Sequence, residues 1–355
     1  MSGIIVSYDK DIMRGTLTTL EASELGSLVK PGMKVSIKPN LVFDKPASSG
    51  ATTHSEVVEG LIIYLKEHGV HDIEIIESSW VGGDTRRAFS VCGYEDLSKR
   101  YNVPLFDLKQ DNSRKIKTPE FELDVNEKAL DTNFLINVPV LKAHCMTTLT
   151  CNLKNLKGCI PDSEKRRYHT IGLHRPIAFL NTAIKTHFCL VDGICGDLTF
   201  EEGGTPIERN MILAGSDPVL VDSYCAELLG YCPDEIEHLA VAAKIGVGQL
   251  YSADCQITEL NAKDKPTSAK SNNETVKRLA AHINEDQACS ACYSALICAL
   301  NTTKTSPPDK ISVGQGLRGK RGKLGCGNCA NGFDKFVKGC PPRAAEVVEF
   351  LRGLD

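Results

Sequence analysis

Six of the fifteen cysteines in this chain fall after residue 285: Cys289, Cys292, Cys298, Cys326, Cys329 and Cys340. Cys289/Cys292 and Cys326/Cys329 have the spacing Cys-x-x-Cys, and Cys340 precedes Pro341 and Pro342. Thiolates are soft ligands that select zinc and iron–sulfur clusters. A 4Fe–4S cluster takes four of them, and a Cys-Pro run often carries one. The spacing predicts Cys289 and Cys292 as a chelating pair and Cys340 as the distal ligand. Cys329 is the expected fourth, with Cys326 as its rival and Cys298 as a spare. Six thiols are too few for two complete cubanes. A structural zinc on Cys289, Cys292, Cys326 and Cys329 is an alternative that leaves Cys340 without a role. Buried thiols without metal are the third.

A second group with chemical potential lies within residues 142–158: Lys142, His144, Asn152, Lys154, Asn155, Lys157 and Gly158. Lysine and histidine after an apolar run can bind an anion or transfer a proton. We expect Lys142, His144, Asn152, Lys154 and Asn155 to form the reaction centre; the competing reading is a buried polar network. His144, His169 and His174 would make a second metal site only by converging, and ordinary hydrogen bonds are expected of them. Cys145, Cys151 and Cys159 read as small apolar fillers. Cys92, Cys189, Cys195, Cys225, Cys232 and Cys255 read as core. Residues 82–87, Gly-Gly-Asp-Thr-Arg-Arg, are a weak phosphate-loop signal. Asp192, Asp197, Glu201 and Glu202 read as a solvated acidic loop.

These groups need a scaffold. Residues 34–38, 73–77, 134–138, 188–192 and 211–214 are short apolar runs bounded by polar residues. Between them Val58, Leu61, Ile62 and Leu65 repeat at helical spacing before Gly69. Alternating strands and helices predict an α/β fold, a mainly parallel sheet covered by helices on both faces. Ligands on such sheets bind beyond the carboxyl ends of the strands, where Lys38-Pro39-Asn40 and Glu77-Ser78-Ser79 fall. We expect an α/β domain over residues 1–260, a linker over 261–275 and a cysteine-rich segment over 276–355. That segment should end in a helix with Pro341 and Pro342 in its first turn, its N-terminus beside Cys340, and Ala344, Val347, Val348 and Leu351 as its apolar stripe.

Several stretches resemble the family known as domain of unknown function 362. They are residues 35–42, 52–58, 139–144, 152–159 (Asn-Leu-Lys-Asn-Leu-Lys-Gly-Cys), 191–194 and 214–219, followed by Asp222. The resemblance implies this architecture and, through the cysteine-rich segment that follows the domain in many members, a cluster. Residues 339–343, Gly-Cys-Pro-Pro-Arg, resemble the ligand run of cluster-bearing small subunits in hydrogenases and respiratory NADH dehydrogenases. A distant likeness to lactate-racemase-like enzymes implies a lysine- and histidine-lined site.

The composition is that of a globular protein, 42% hydrophobic and 24% charged. A net charge of −4 argues against a nucleic-acid binder. No apolar run reaches membrane-spanning length, and the start lacks a secretion signal. The expected location is a reducing cytoplasm. From residue 266 onward 13 Lys and Arg face 8 Asp and Glu, so this part carries +5 and the rest −9. The basic run 318–323 is a candidate dock for an acidic ferredoxin or flavodoxin. The functional expectation is an iron–sulfur oxidoreductase acting on a small molecule. An electron-transfer adaptor and a non-redox lyase or desulfidase with an open cluster iron are the alternatives. A homodimer is compatible with the sequence, which does not set the oligomeric state.

Overall fold

Aliphatic runs buried on both faces form the centre of the sheet. Phe134–Val138 is buried at every position, as are Lys34–Pro39 and Asp72–Glu77 after their first residues. In the computed structural model, residues 3–197, 206–265 and 273–354 are described. Eight strands pair there in the order Ile257–Leu260, Ile4–Tyr8, Pro206–Gly215, Phe188–Asp197, Phe134–Val138, Lys34–Pro39, Asp72–Glu77 and Leu105–Asp107. Pro206–Gly215 is antiparallel to both neighbours, and every other pairing is parallel. Successive strand residues enter opposite layers: Leu135 and Leu213 join one apolar cluster, while Ile136, Ile212 and Ala214 join the other. The fold is thus the mainly parallel, helix-covered sheet that the sequence predicts.

Two strands run further than expected. Phe188–Asp197 and Pro206–Gly215 extend each other as an antiparallel pair, with a bulge between Gly193 and Cys195. Asp192 and Asp197 are therefore buried strand residues rather than solvated loop. Glu201 and Glu202 lie outside the described residues, as does 266–272 of the expected linker. Helix Ser55–Glu67 buries Val58, Leu61, Ile62 and Leu65. Of the six scattered cysteines, Cys92, Cys189, Cys195 and Cys225 are core, whereas Cys255 is half-buried and Cys232 exposed. Cys232 lies in the connection between helix Pro218–Leu228 and the short helical turn Pro233–Glu235.

The cysteine-rich segment has its own small scaffold. Ile283–Glu285, Ile311–Val313, Leu324–Cys326 and Lys335–Val337 form a four-stranded parallel sheet. Helices Ser290–Thr303 and Ala344–Arg352 close over it through Leu296, Leu300, Val347 and Leu351. Val347 and Leu351 bear out the predicted stripe; Ala344 is exposed. The terminal helix begins at Ala344, not at the prolines. A proline keeps the residue before it out of the helical region, so the consecutive Pro341 and Pro342 delay the start. Arg343 caps the helix, and its backbone N–H donates to Glu346 Oε2 at 3.0 Å. The helix N-terminus at the thiols belongs instead to Ser290–Thr303, with Cys289 at its cap and Cys292 in its first turn.

Candidate functional site

The strands Lys34–Pro39 and Asp72–Glu77 are parallel neighbours, so their carboxyl ends share one edge. Lys38 is fully buried there, with Nζ 2.8 Å from Glu77 Oε1 and donating to the Pro39 carbonyl at 2.9 Å. Glu77 also accepts from the backbone N–H groups of Leu41 (2.8 Å) and Ser78 (2.7 Å). Gly158 packs directly on this pair: a Cβ there would stand 2.1 Å from Glu77 Oε1 and 2.5 Å from Lys38 Nζ. Only glycine leaves room for the buried ion pair.

A chain of amides runs inward from this point. Asn137 Nδ2 donates to the Asn152 carbonyl at 2.9 Å, Asn155 Nδ2 to Asn137 Oδ1 at 2.7 Å, and Asn40 Nδ2 to Asn155 Oδ1 at 2.8 Å. Asn152 anchors the far end, giving its backbone and side-chain N–H groups to Asp222 at 2.8 Å. Burial pushes the Asp222 carboxyl up to about 6, against the pull of these donors and the Leu153 N–H. On helix Asp162–Thr170, buried Lys165 donates to Ser78 Oγ at 2.6 Å and to the Ser79 carbonyl at 2.7 Å. Burial lowers its ammonium to about 8, with Asp162 opposing.

Above this network opens a cleft of about 640 Å³, its solvent-open part included. Lys154, Asn155, Lys157, Lys165 and His169 line it together with Asn40, Glu77, Trp80 and Cys289. Two of the five expected reaction-centre residues, Lys154 and Asn155, therefore meet at the cleft. The other three do not line it. Lys142 Nζ donates to the Ala51 carbonyl at 2.6 Å. His144 Nδ1 accepts from the N–H groups of Met146 and Thr147 at 3.0 Å. Asn152 holds Asp222. Sequence reasoning marked the strand ends carrying Lys38, Asn40 and Glu77 as polar without assigning them to the site. It did not single out Lys165 or Trp80, which also line the cleft.

The cysteine segment is seated on the same edge. His169 Nε2 lies 3.4 Å from Ser290 Oγ, Gln315 Nε2 donates to the Arg166 carbonyl at 3.0 Å, and Cys145 Sγ is 3.1 Å from Ser294 Oγ. Gly82 backs onto Pro341, where a Cβ would come within 3.0 Å of Cδ. The glycine loop thus packs closely against the cysteine segment at Gly82, and Asp84 caps the helix that follows it. Cys151 and Cys159 are buried fillers as expected.

Five thiols share one neighbourhood. Cys289 is raised by burial and then by Cys329 and Cys340, while Lys157 and Arg166 oppose. Cys292 is raised by burial and then by Cys326, Cys289, Cys340 and Cys329. Cys326, at the end of its strand, is pushed up to about 12 by burial alone. Cys298 lies six residues beyond Cys292 on the helix, and about 100° per residue turns it away from that group. Arg318 hydrogen-bonds Cys329, which raises the guanidinium further. Within the basic run, Lys320 pairs with Asp286 at 2.9 Å and Lys323 with Asp309 at 3.1 Å. Among the described residues, no three or more His, Cys, Asp or Glu side chains close around a point fit for one metal ion.

The histidines do not gather as a His144, His169 and His174 site. His174 Nδ1 instead lies 3.2 Å from Nδ1 of buried His238. Burial lowers both, with Glu237 opposing at His174, and with His174, Lys154 and His144 adding to the effect at His238. Folded-state values below the ordinary 6.5 mean that the unfolded chain binds more protons. Their stabilisation is whole above pH 6.5 and is lost as pH falls through the folded values. The urea midpoint should therefore drop between pH 7 and 5, with a smaller drop in His238→Asn. An identical pH profile in the variant rules these histidines out as the cause.

The molecule is an α/β protein with a cationic cleft at the carboxyl edge of its sheet and a cysteine-rich segment seated over it. It belongs to the family Domain of unknown function (DUF362), which matches residues 35–227, more than half of the chain. A thylakoid-associated protein of Synechocystis is 25% identical over 254 residues, covering 68% of this chain and 77% of that protein. The lactate racemase apoprotein of Thermoanaerobacterium thermosaccharolyticum aligns over 53% of this chain at 16% identity and a TM-score of 0.39. A protein of Thermotoga maritima aligns over 66% at 14% identity and a TM-score of 0.40. The chain spans 50% and 59% of those two structures. Among the described residues, no helix is long and apolar enough to cross a membrane.

Proposed function

We propose that this chain is an iron–sulfur oxidoreductase of a reducing cytoplasm. It holds one 4Fe–4S cluster on Cys289, Cys292, Cys329 and Cys340 and acts on a small molecule in the adjoining cleft. The observation that carries this reading is that Cys289 lines the same cleft as Lys154, Asn155 and Lys165. The nearness of Cys289, Cys292, Cys326, Cys329 and Cys340 to one another supports a thiolate-bound group in this segment, and fifteen unbridged cysteines suit a reducing compartment. When bound, such a cluster supplies single electrons.

The chain's own residues do the rest. Lys154 and Lys157 attract an anionic substrate. Lys165, poised near neutrality, can give or take a proton at Nζ. Trp80 and Val42 exclude water from part of the cleft. An acidic ferredoxin or flavodoxin would deliver electrons at the exposed Arg318 and Arg321.

Anaerobic purification followed by iron and sulfide analysis tests the reading. We expect about four irons per chain, a cubane signal by electron paramagnetic resonance after reduction, and loss of both in Cys292→Ala and Cys329→Ala but not in Cys326→Ala. Stoichiometric zinc without iron overturns it.

A further inference from the structure

The same cleft also constrains its ligand. Among the described lining residues, Lys154, Lys157 and Lys165 bring three ammonium groups and Glu77 the one carboxylate, while Asp162, outside the lining, pairs with Lys165 at 3.3 Å. Glu77 already faces Lys38 and two backbone N–H groups. Lys154 and Lys165 are only 6% and 4% exposed, and charged hydrogen bonds at such depth are stronger than at the surface.

Asn40 adds a second demand. The orientation of the amide chain is fixed from its inner end, because the Asn152 carbonyl can only accept. Asn137 therefore donates to it through Nδ2 and offers Oδ1 to Asn155, which in turn offers Oδ1 to Asn40 Nδ2. Asn40 is left with Oδ1 buried and without a hydrogen-bond partner, on a residue 8% exposed that lines the cleft. A buried carbonyl left so is destabilising, and a ligand O–H relieves it. Val42, Trp80, Val81 and Ala291 supply an apolar wall.

Resting on the reading of this cleft as the reaction site, we propose that its ligand is a small anion bearing a hydroxyl donor. The lysines hold the charge and Asn40 Oδ1 receives the hydroxyl. A hydroxycarboxylate and a protonated phosphate share this chemistry.

Trp80 is the chain's single tryptophan, so its emission reports on the cleft directly. The full chain, purified anaerobically, is titrated with glycolate, acetate, phosphate and ethylene glycol. Glycolate should give a saturable change with at least tenfold tighter binding than acetate, and ethylene glycol should give none. Asn40→Ala should bind glycolate and acetate alike, and Lys157→Gln should weaken both about tenfold, with unfolding midpoints checked for each variant. Tighter saturation by phosphate than by glycolate supports the proposal and selects the phosphate-bearing source. A silent Trp80 with every anion, or equal binding of acetate and glycolate to the unaltered protein, overturns it. Iron is counted on the same preparation, so loss of the cluster reading and loss of the ligand reading are separate results.

Discussion

Glu77→Ala should lower the free energy of unfolding by about 3–5 kcal/mol, the usual cost of removing one partner from a buried ion pair. Lys38 has no exposed surface, and Glu77 stands 2.8 Å from its ammonium. Without the carboxylate, Lys38 must hold a charge in a dry site or give up its proton, and either path costs free energy. The N–H groups of Leu41 and Ser78 lose their acceptor as well. Urea unfolding reads the effect as an earlier midpoint at unchanged slope. A double variant, Lys38→Met with Glu77→Leu, should recover much of the loss, because an apolar pair of similar volume removes both charges. A loss below about 1 kcal/mol in Glu77→Ala would mean that the pair does not anchor this edge.

How far the sequence announces this site depends on how far apart its parts lie. The centre of the sheet was legible because its strands are local apolar runs, and Phe134–Val138 stands where its hydrophobicity puts it, whereas Ile4–Tyr8, Leu105–Asp107 and Ile257–Leu260 were not read as strands. Lys154 and Asn155 were legible because they sit in one dense polar stretch. Lys142 and His144 were drawn into the same group by proximity in sequence. They form one strand of a small hairpin, Lys142–His144 with Thr148–Thr150, and their side chains engage its surroundings. The cleft itself joins residues near 40, 77, 155, 165 and 289, and no local pattern encodes that meeting. Cys289 and Cys292 were found by spacing, whereas the helix that begins at them was not foreseen. The Pro341-Pro342 pair drew attention to the wrong helix, because two prolines can open a helix or delay it and the spacing alone does not decide.

Gly158→Ala should be nearly as damaging as the loss of Glu77, and for a reason tied to it. Gly158 carries no positive φ, so alanine meets no backbone strain there, and the cost is steric. The added methyl would lie 2.1 Å from Glu77 Oε1, 2.5 Å from Lys38 Nζ and 2.6 Å from Lys38 Cε. Neither side chain is a loose surface group that can swing aside: the carboxylate is held by two backbone N–H groups, and Lys38 by the Pro39 carbonyl. Overpacking alone costs about 1–3 kcal/mol, and parting a buried pair adds to it, so a loss of about 3 kcal/mol or more is expected. The two predictions are therefore coupled. In the double variant Gly158→Ala with Glu77→Ala, the new methyl occupies space that the carboxylate has vacated. The combined loss should fall short of the sum by about 1–3 kcal/mol, the range for residues in contact. Strict additivity in that cycle would show that Gly158 does not act through the ion pair, and would break the link from the Asn-Leu-Lys-Asn-Leu-Lys-Gly-Cys run to the edge of the sheet.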